Sequence, residues 1–213
     1  MLALRNQPLF VLLLGITSLL MYVPVLFSIR LDQWLYARTF FYHGTFFLII
    51  TTFLGIAFSS QKLRKKIVQN IFDLFCCFVF LPIFMAMPLN YLITNINFFD
   101  AYFEMLSSFT TTGASIFDLN YRVPDVLHLW RALISWVGGL LMLVAALAIF
   151  QPAGLGGFDV YTRKNNSDNL KIQIKRVDIR SRIIKYSILI SPIYFLLTIV
   201  MSILLIMSGD RPL

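Results

Sequence analysis

Five stretches without a charged side chain, 6–29, 39–61, 74–99, 132–158 and 186–209, most limit the folds open to this chain. A helix needs about 20 predominantly apolar residues to cross the hydrocarbon core of a bilayer. Each stretch is longer than that. Within lipid the backbone must satisfy its own polar groups, so each apolar stretch is expected to be helical. Composition agrees: 59% of residues are hydrophobic and 13% charged, against about 25% charged in soluble domains. The expected fold class is an all-α polytopic membrane protein of the cell membrane, the inner one in a Gram-negative cell. The first stretch is too long for a secretory signal and has no small-residue cleavage site before Arg30, so it reads as a retained span.

The net charge of +8 is concentrated rather than spread. One basic cluster is Lys62, Arg64, Lys65 and Lys66; a second runs from Arg163 to Lys185. Such clusters beside spans mark the cytoplasmic side and touch anionic lipid, so lipid rather than nucleic acid is the expected partner. The longer loop, 159–182, also offers a docking surface for a cytosolic protein. With both clusters on one side, an even number of crossings must separate them, and 74–99 and 132–158 already supply two. Residues 98–118 therefore enter and leave from the outer side. Asp100 and Glu104 leave only 105–117 uncharged, too short to span. The segment reads as a re-entrant hairpin, tolerated only where protein or water surrounds it.

Its chemistry is a short helix followed by an extended strand. Asn97 is an N-cap candidate with Asp100 in the first turn, and FFDAYFEMLSSF can run about three turns. The β-branched run Thr110, Thr111, Thr112 then weakens the helix, and Gly113 supplies unusual backbone angles. The helix points its partial negative end into the membrane, and carbonyls along TTTGA can replace the water shell of a cation.

FFDAYFEMLSSFTTTGASIFD followed by LHLWRALISWVGGLLMLVAALAIFQPAGLGG resembles the first membrane–pore–membrane unit of the Trk/Ktr/HKT superfamily of potassium transporters, and most resembles its TrkH type. The likeness rests on the threonine-rich filter ending in Gly113 and on Trp130, Arg131, Trp136, Gly138 and Gly139 at the start of the next span. Two spans ahead of the unit also fit that type. The resemblance implies a potassium-translocating pore in which four units surround a pseudo-fourfold axis. Thr110, Thr111, Thr112 and Gly113 would coordinate potassium through the filter backbone, potassium being the ion carried. It further implies a homodimer and a soluble nucleotide-binding regulatory subunit on the cytoplasmic face.

On this reading 1–60 holds two leading spans, and 61–158 the first unit with its pore helix and filter at about 98–116. The basic cytoplasmic loop is 159–182, and 183–213 is the first span of an incomplete second unit. One filter strand is a quarter of a ring, so a second chain carrying the missing pore units is an expected partner. The readings that compete with a pore-forming subunit are a non-conducting fragment or structural subunit, and a homotetrameric cation channel. An enzyme is not expected, since H-E-x-x-H, G-x-S-x-G and a paired-carboxylate cluster are absent from the sequence.

Several residues have plainer readings. Glu104 lies on the pore helix near outer water or satisfies a neighbouring backbone. Asp73 sits at an interface. Cys76 and Cys77 are adjacent within a span, which disfavours a disulfide between them. His43 and His128 are polar residues near the outer ends of spans. The glycines of GLGG at 154–157 form a flexible exit. Pro82 and Pro192 kink their helices, and Trp34, Tyr36, Tyr121 and Trp130 are interface anchors.

Overall fold

The computed structural model describes residues 8–59, 67–117, 123–150 and 179–209, which are helical apart from turns and one extended segment. Five helices are long and apolar enough to cross a membrane: Leu9–Arg30, Trp34–Phe58, Phe72–Leu92, Asp125–Leu147 and Lys185–Met207. The chain is an all-α multi-pass membrane protein. The basic residues 62–66 and 163–176, the GLGG glycines and Tyr121 lie outside the described residues.

The first span is two helices end to end, α1 (Leu9–Leu20) and α2 (Tyr22–Arg30), meeting at Met21. Pro24 brings no N–H to the carbonyl of Leu20, which loosens the helical ladder at this joint. The chain turns at 31–33 and returns as α3 (Trp34–Ser59), against which α1 and α2 both pack. Then come α4 (Ile67–Leu92), the short α5 (Phe98–Phe109), α6 (Asp125–Phe150) and α7 (Ile179–Met207). Packed pairs include α4 with α5, α5 with α6, α6 with α7, and α1 with α4.

A core of aromatic and aliphatic side chains joins the leading spans to the later ones. Trp130 of α6 is fully buried, edge-on to Phe40 of α3 with centroids 5.5 Å apart. Phe47 of α3 meets Phe84 of α4 at 5.3 Å, nearly perpendicular. Such pairs contribute about 0.5–1.5 kcal/mol each beyond the area they bury. The expected role of Trp130 as an interface anchor is thus corrected. Its indole faces α3 and α4 and donates to the Met85 carbonyl at 3.2 Å. Trp34, by contrast, is exposed.

Pro82 and Pro88 both lie inside α4. The carbonyls three residues before them, those of Val79 and Met85, accept bonds from the Tyr102 hydroxyl at 3.0 Å and from Trp130. A proline ring presses on the preceding turn and opens it, which makes such carbonyls available. Cys76 and Cys77 are not joined by a disulfide.

Two expected span boundaries shift. The stretch 74–99 ends as a helix at Leu92, and the chain turns before the pore helix starts at Phe98. The stretch 132–158 begins earlier, at Asp125, so Arg131 lies well inside α6 rather than opening it.

Candidate functional site

The site is built from the pore helix upward. The backbone of Asn97 is extended, and its N–H donates to the Asp100 carboxylate at 3.2 Å, as in a capping box. From that start α5 runs for 12 residues, about 18 Å. Its last residue, Phe109, rests on Gly138 of α6: a Cβ there would lie 1.8 Å from the Phe109 carbonyl oxygen. Gly138 is thirteen residues into α6, a depth of about 20 Å in a hydrocarbon core of about 30 Å.

The chain then climbs back. Ser115 and Ile116 reach Glu104, six residues from the start of α5. The Phe117 ring lies 5.8 Å from the guanidinium carbon of Arg131, six residues from the start of α6. Entry and exit are at one end, which is the re-entrant hairpin expected from the sequence.

The bottom of the hairpin is a Schellman turn. The N–H of Thr112 donates to the Ser107 carbonyl at 2.9 Å and that of Thr111 to the Ser108 carbonyl at 3.1 Å. The left-handed position in such a turn is normally glycine; here it is Thr111, at φ 56°. A β-branched residue there is a genuine outlier. Gly113 follows at φ 76°, where glycine carries no such penalty. The Thr110 hydroxyl donates to the Leu106 carbonyl at 2.8 Å, so the 2.8 Å contact between the Thr110 and Thr112 hydroxyls is donated by Thr112.

This turn uses up most of the orphan carbonyls of the helix end. What it leaves open are the carbonyls of Phe109, which rests on Gly138, and of Thr110, Thr111, Thr112 and Gly113, which no donor reaches among the described residues. Ala114 differs from its expected role in the TTTGA run, because its carbonyl accepts the Ser107 hydroxyl at 2.6 Å. The open stretch therefore ends at Gly113. Exposed carbonyl oxygens held at membrane depth can coordinate a dehydrated cation, and one strand supplies one arc of a coordinating ring.

Glu104 is fully buried and bonded to backbone, as its plainer reading held. It also forms an ion pair with Arg131, whose side chain is 22% exposed. Sequence reasoning missed this partnership, although a signal existed: two opposite charges, each six residues inside a helix start. An ionisable residue at membrane depth calls for a named partner. It also missed the left-handed Thr111, for which composition offers no cue.

Strain at Thr111 yields a stability prediction. A non-glycine residue in this region costs about 1–2 kcal/mol, while glycine adds unfolded-chain entropy worth about 0.4–1 kcal/mol. Thr111→Gly is thus expected to raise stability by about 0.5–1 kcal/mol, read as a higher melting temperature in detergent. A lower melting temperature would mean that contacts of the threonine outweigh its backbone strain.

No protein-family profile matches the chain, and no solved structure does. Curated relatives do match. The Trk system potassium uptake protein TrkH of Vibrio parahaemolyticus is 30% identical over 118 residues, covering 55% of this chain and 23% of that protein. TrkH of Escherichia coli K12 is 30% identical over 115 residues, or 54% of this chain and 23% of its own length. TrkG of the same strain is 37% identical over 67 residues, or 32% and 14%. The chain is therefore similar to TrkH-type proteins over about half its length, and the match spans less than a quarter of theirs.

Proposed function

We infer that this chain serves potassium transport across the cell membrane as a pore-forming subunit, or part of one, of a Trk-type uptake system. The observation carrying this reading is the row of unpartnered carbonyls at Thr110, Thr111, Thr112 and Gly113, held at mid-membrane depth by the turn after the pore helix. Thr110 belongs to the same filter backbone, and its hydroxyl also takes the Thr112 hydroxyl at 2.8 Å. Residues 61–158 are then the first pore unit, 1–60 its leading spans, 159–182 a cytoplasmic loop and 183–213 the opening span of the next unit. The protein is a membrane subunit of a multi-component system. Its proposed associates are a second copy, a soluble nucleotide-binding regulator at the basic loop, and a chain or segment supplying the other filter strands. The similarity is to transport proteins, not to enzymes.

A single strand supplies one arc of each carbonyl ring, and the opposite sides stay open to lipid or water. Liposomes holding only the purified 213-residue polypeptide are therefore expected to show no potassium-selective flux. Co-expression with the remaining pore units in a potassium-uptake-deficient strain is expected to restore uptake, and Gly113→Val to abolish it. Selective flux from the chain alone would point to a homotetrameric channel. Failure of co-expression with a folded chain would favour the non-conducting reading.

The side assignment has its own test. Single cysteines at Ser60 and Asn120, in a background lacking Cys76 and Cys77, are expected to label from the cytoplasm and from outside respectively. Labelling of both from one face would overturn the proposed topology.

A further inference from the structure

We propose that Glu104 is a positioning residue, a buried clasp that sets the height and orientation of the filter strand from behind, with Arg131 holding its carboxylate in place. This rests on the reading of 110–113 as the ion-coordinating stretch.

The partners of Glu104 carry the inference. Its side chain is fully buried. The Ser115 hydroxyl lies 3.0 Å from Oε1 and 3.2 Å from Oε2, and the Ile116 N–H donates to Oε2 at 3.1 Å. Arg131 pairs with Oε1. The carboxylate thus binds two consecutive residues of the strand as well as the neighbouring helix. An ionised carboxylate only accepts, and bonds to a charged acceptor are about twice as strong as neutral ones.

Ser107, three residues along the same face of α5, donates to the Ala114 carbonyl at 2.6 Å. Residues 114, 115 and 116 are thereby tied in succession to two pore-helix side chains. At the other end, Thr112 N–H is tied to the Ser107 carbonyl. Between these two attachments lie the free carbonyls of Thr112 and Gly113. The stretch that faces the ion is fixed at both ends from its rear side, so its spacing is set before an ion arrives. Arg131 is tied to α6, so the clasp also fixes the strand relative to that helix.

The test is hydrogen–deuterium exchange of the full chain in nanodiscs in choline buffer. Without potassium present, failure of the transport reading leaves this result untouched, and the reverse also holds. The reversed pair Glu104→Arg/Arg131→Glu keeps opposite charges but removes the acceptor from the pore helix. It is expected to speed exchange at 114–117 by about tenfold while 98–109 and 125–147 keep their protection. Ser115→Ala, at an exposed position, also releases the Phe117 N–H that donates to the Ser115 hydroxyl at 3.2 Å, so its readout is the Ile116 amide, expected to exchange about threefold faster. Wild-type exchange at 114–117 in the reversed pair would overturn the proposal, because ion pairing alone would then account for both charges. If the reversed pair loses protection throughout α5 and α6, Ser115→Ala decides: faster exchange at Ile116 supports the clasp, and unchanged exchange there overturns it.

Discussion

Gly138→Ala will detach the pore helix from α6 and is expected to destabilise the chain by about 3 kcal/mol. The added methyl would sit 1.8 Å from the Phe109 carbonyl oxygen, 2.7 Å from its carbonyl carbon and 3.0 Å from its Cα. All three are backbone atoms, so no rotamer change relieves the overlap. The end of α5 must move, and the turn that carries Thr111 and Gly113 moves with it. Gly139→Ala is the control. Its methyl would meet the Tyr194 hydroxyl at 2.7 Å, the far end of a side chain that can swing aside. Thermal unfolding in detergent should show a much larger loss for Gly138→Ala than for Gly139→Ala. Equal losses would mean that the pore helix does not dock as closely as described.

Arg131→Leu is expected to destabilise by about 3–5 kcal/mol, the usual cost of stranding one member of a buried ion pair. Glu104 has no access to water, so its charge would be left with the Ser115 hydroxyl and the Ile116 amide. Glu104→Leu should cost less, because the Arg131 side chain is already 22% exposed and can turn its charge toward solvent. The double variant should recover part of the Arg131→Leu loss, since removing both charges leaves none stranded. Additive losses in the cycle would show that the two residues are not coupled.

Much of the fold was legible because a bilayer imposes a simple length rule. The pore helix was readable to the residue, since Asn97 and Asp100 mark its start and three threonines its end. The misplaced start of α6 has a definite cause. A search for uncharged stretches stops at Arg131, yet a charge with a partner at the same depth is compatible with a span. Trp130 was misread because hydropathy cannot separate a side chain facing lipid from one facing another helix; both surroundings are apolar. Within the candidate site, TTTG indicated where the carbonyls are. Which of them stay open depended on Ser107 reaching across seven residues to Ala114, a contact between separate structural elements that no local pattern encodes.

The neighbouring glycines of α6 face different partners: Gly138 takes the end of α5, and Gly139 takes Tyr194 of α7. Two residues before Gly138, Trp136 donates to the Thr198 hydroxyl of α7 at 3.0 Å and its ring lies 5.3 Å from that of Tyr194. Successive residues of a helix point about 100° apart, so α6 is keyed like a shaft between two bearings. A slip of one residue that brought Val137 to the place of Gly138 would drive its side chain into a notch, walled by backbone, that admits only hydrogen. A screw motion of α6 in that direction against the turn at 110–113 is therefore closed to this fold. A displacement of this part of α6 in that direction must instead be a rigid tilt that carries α5 along with it.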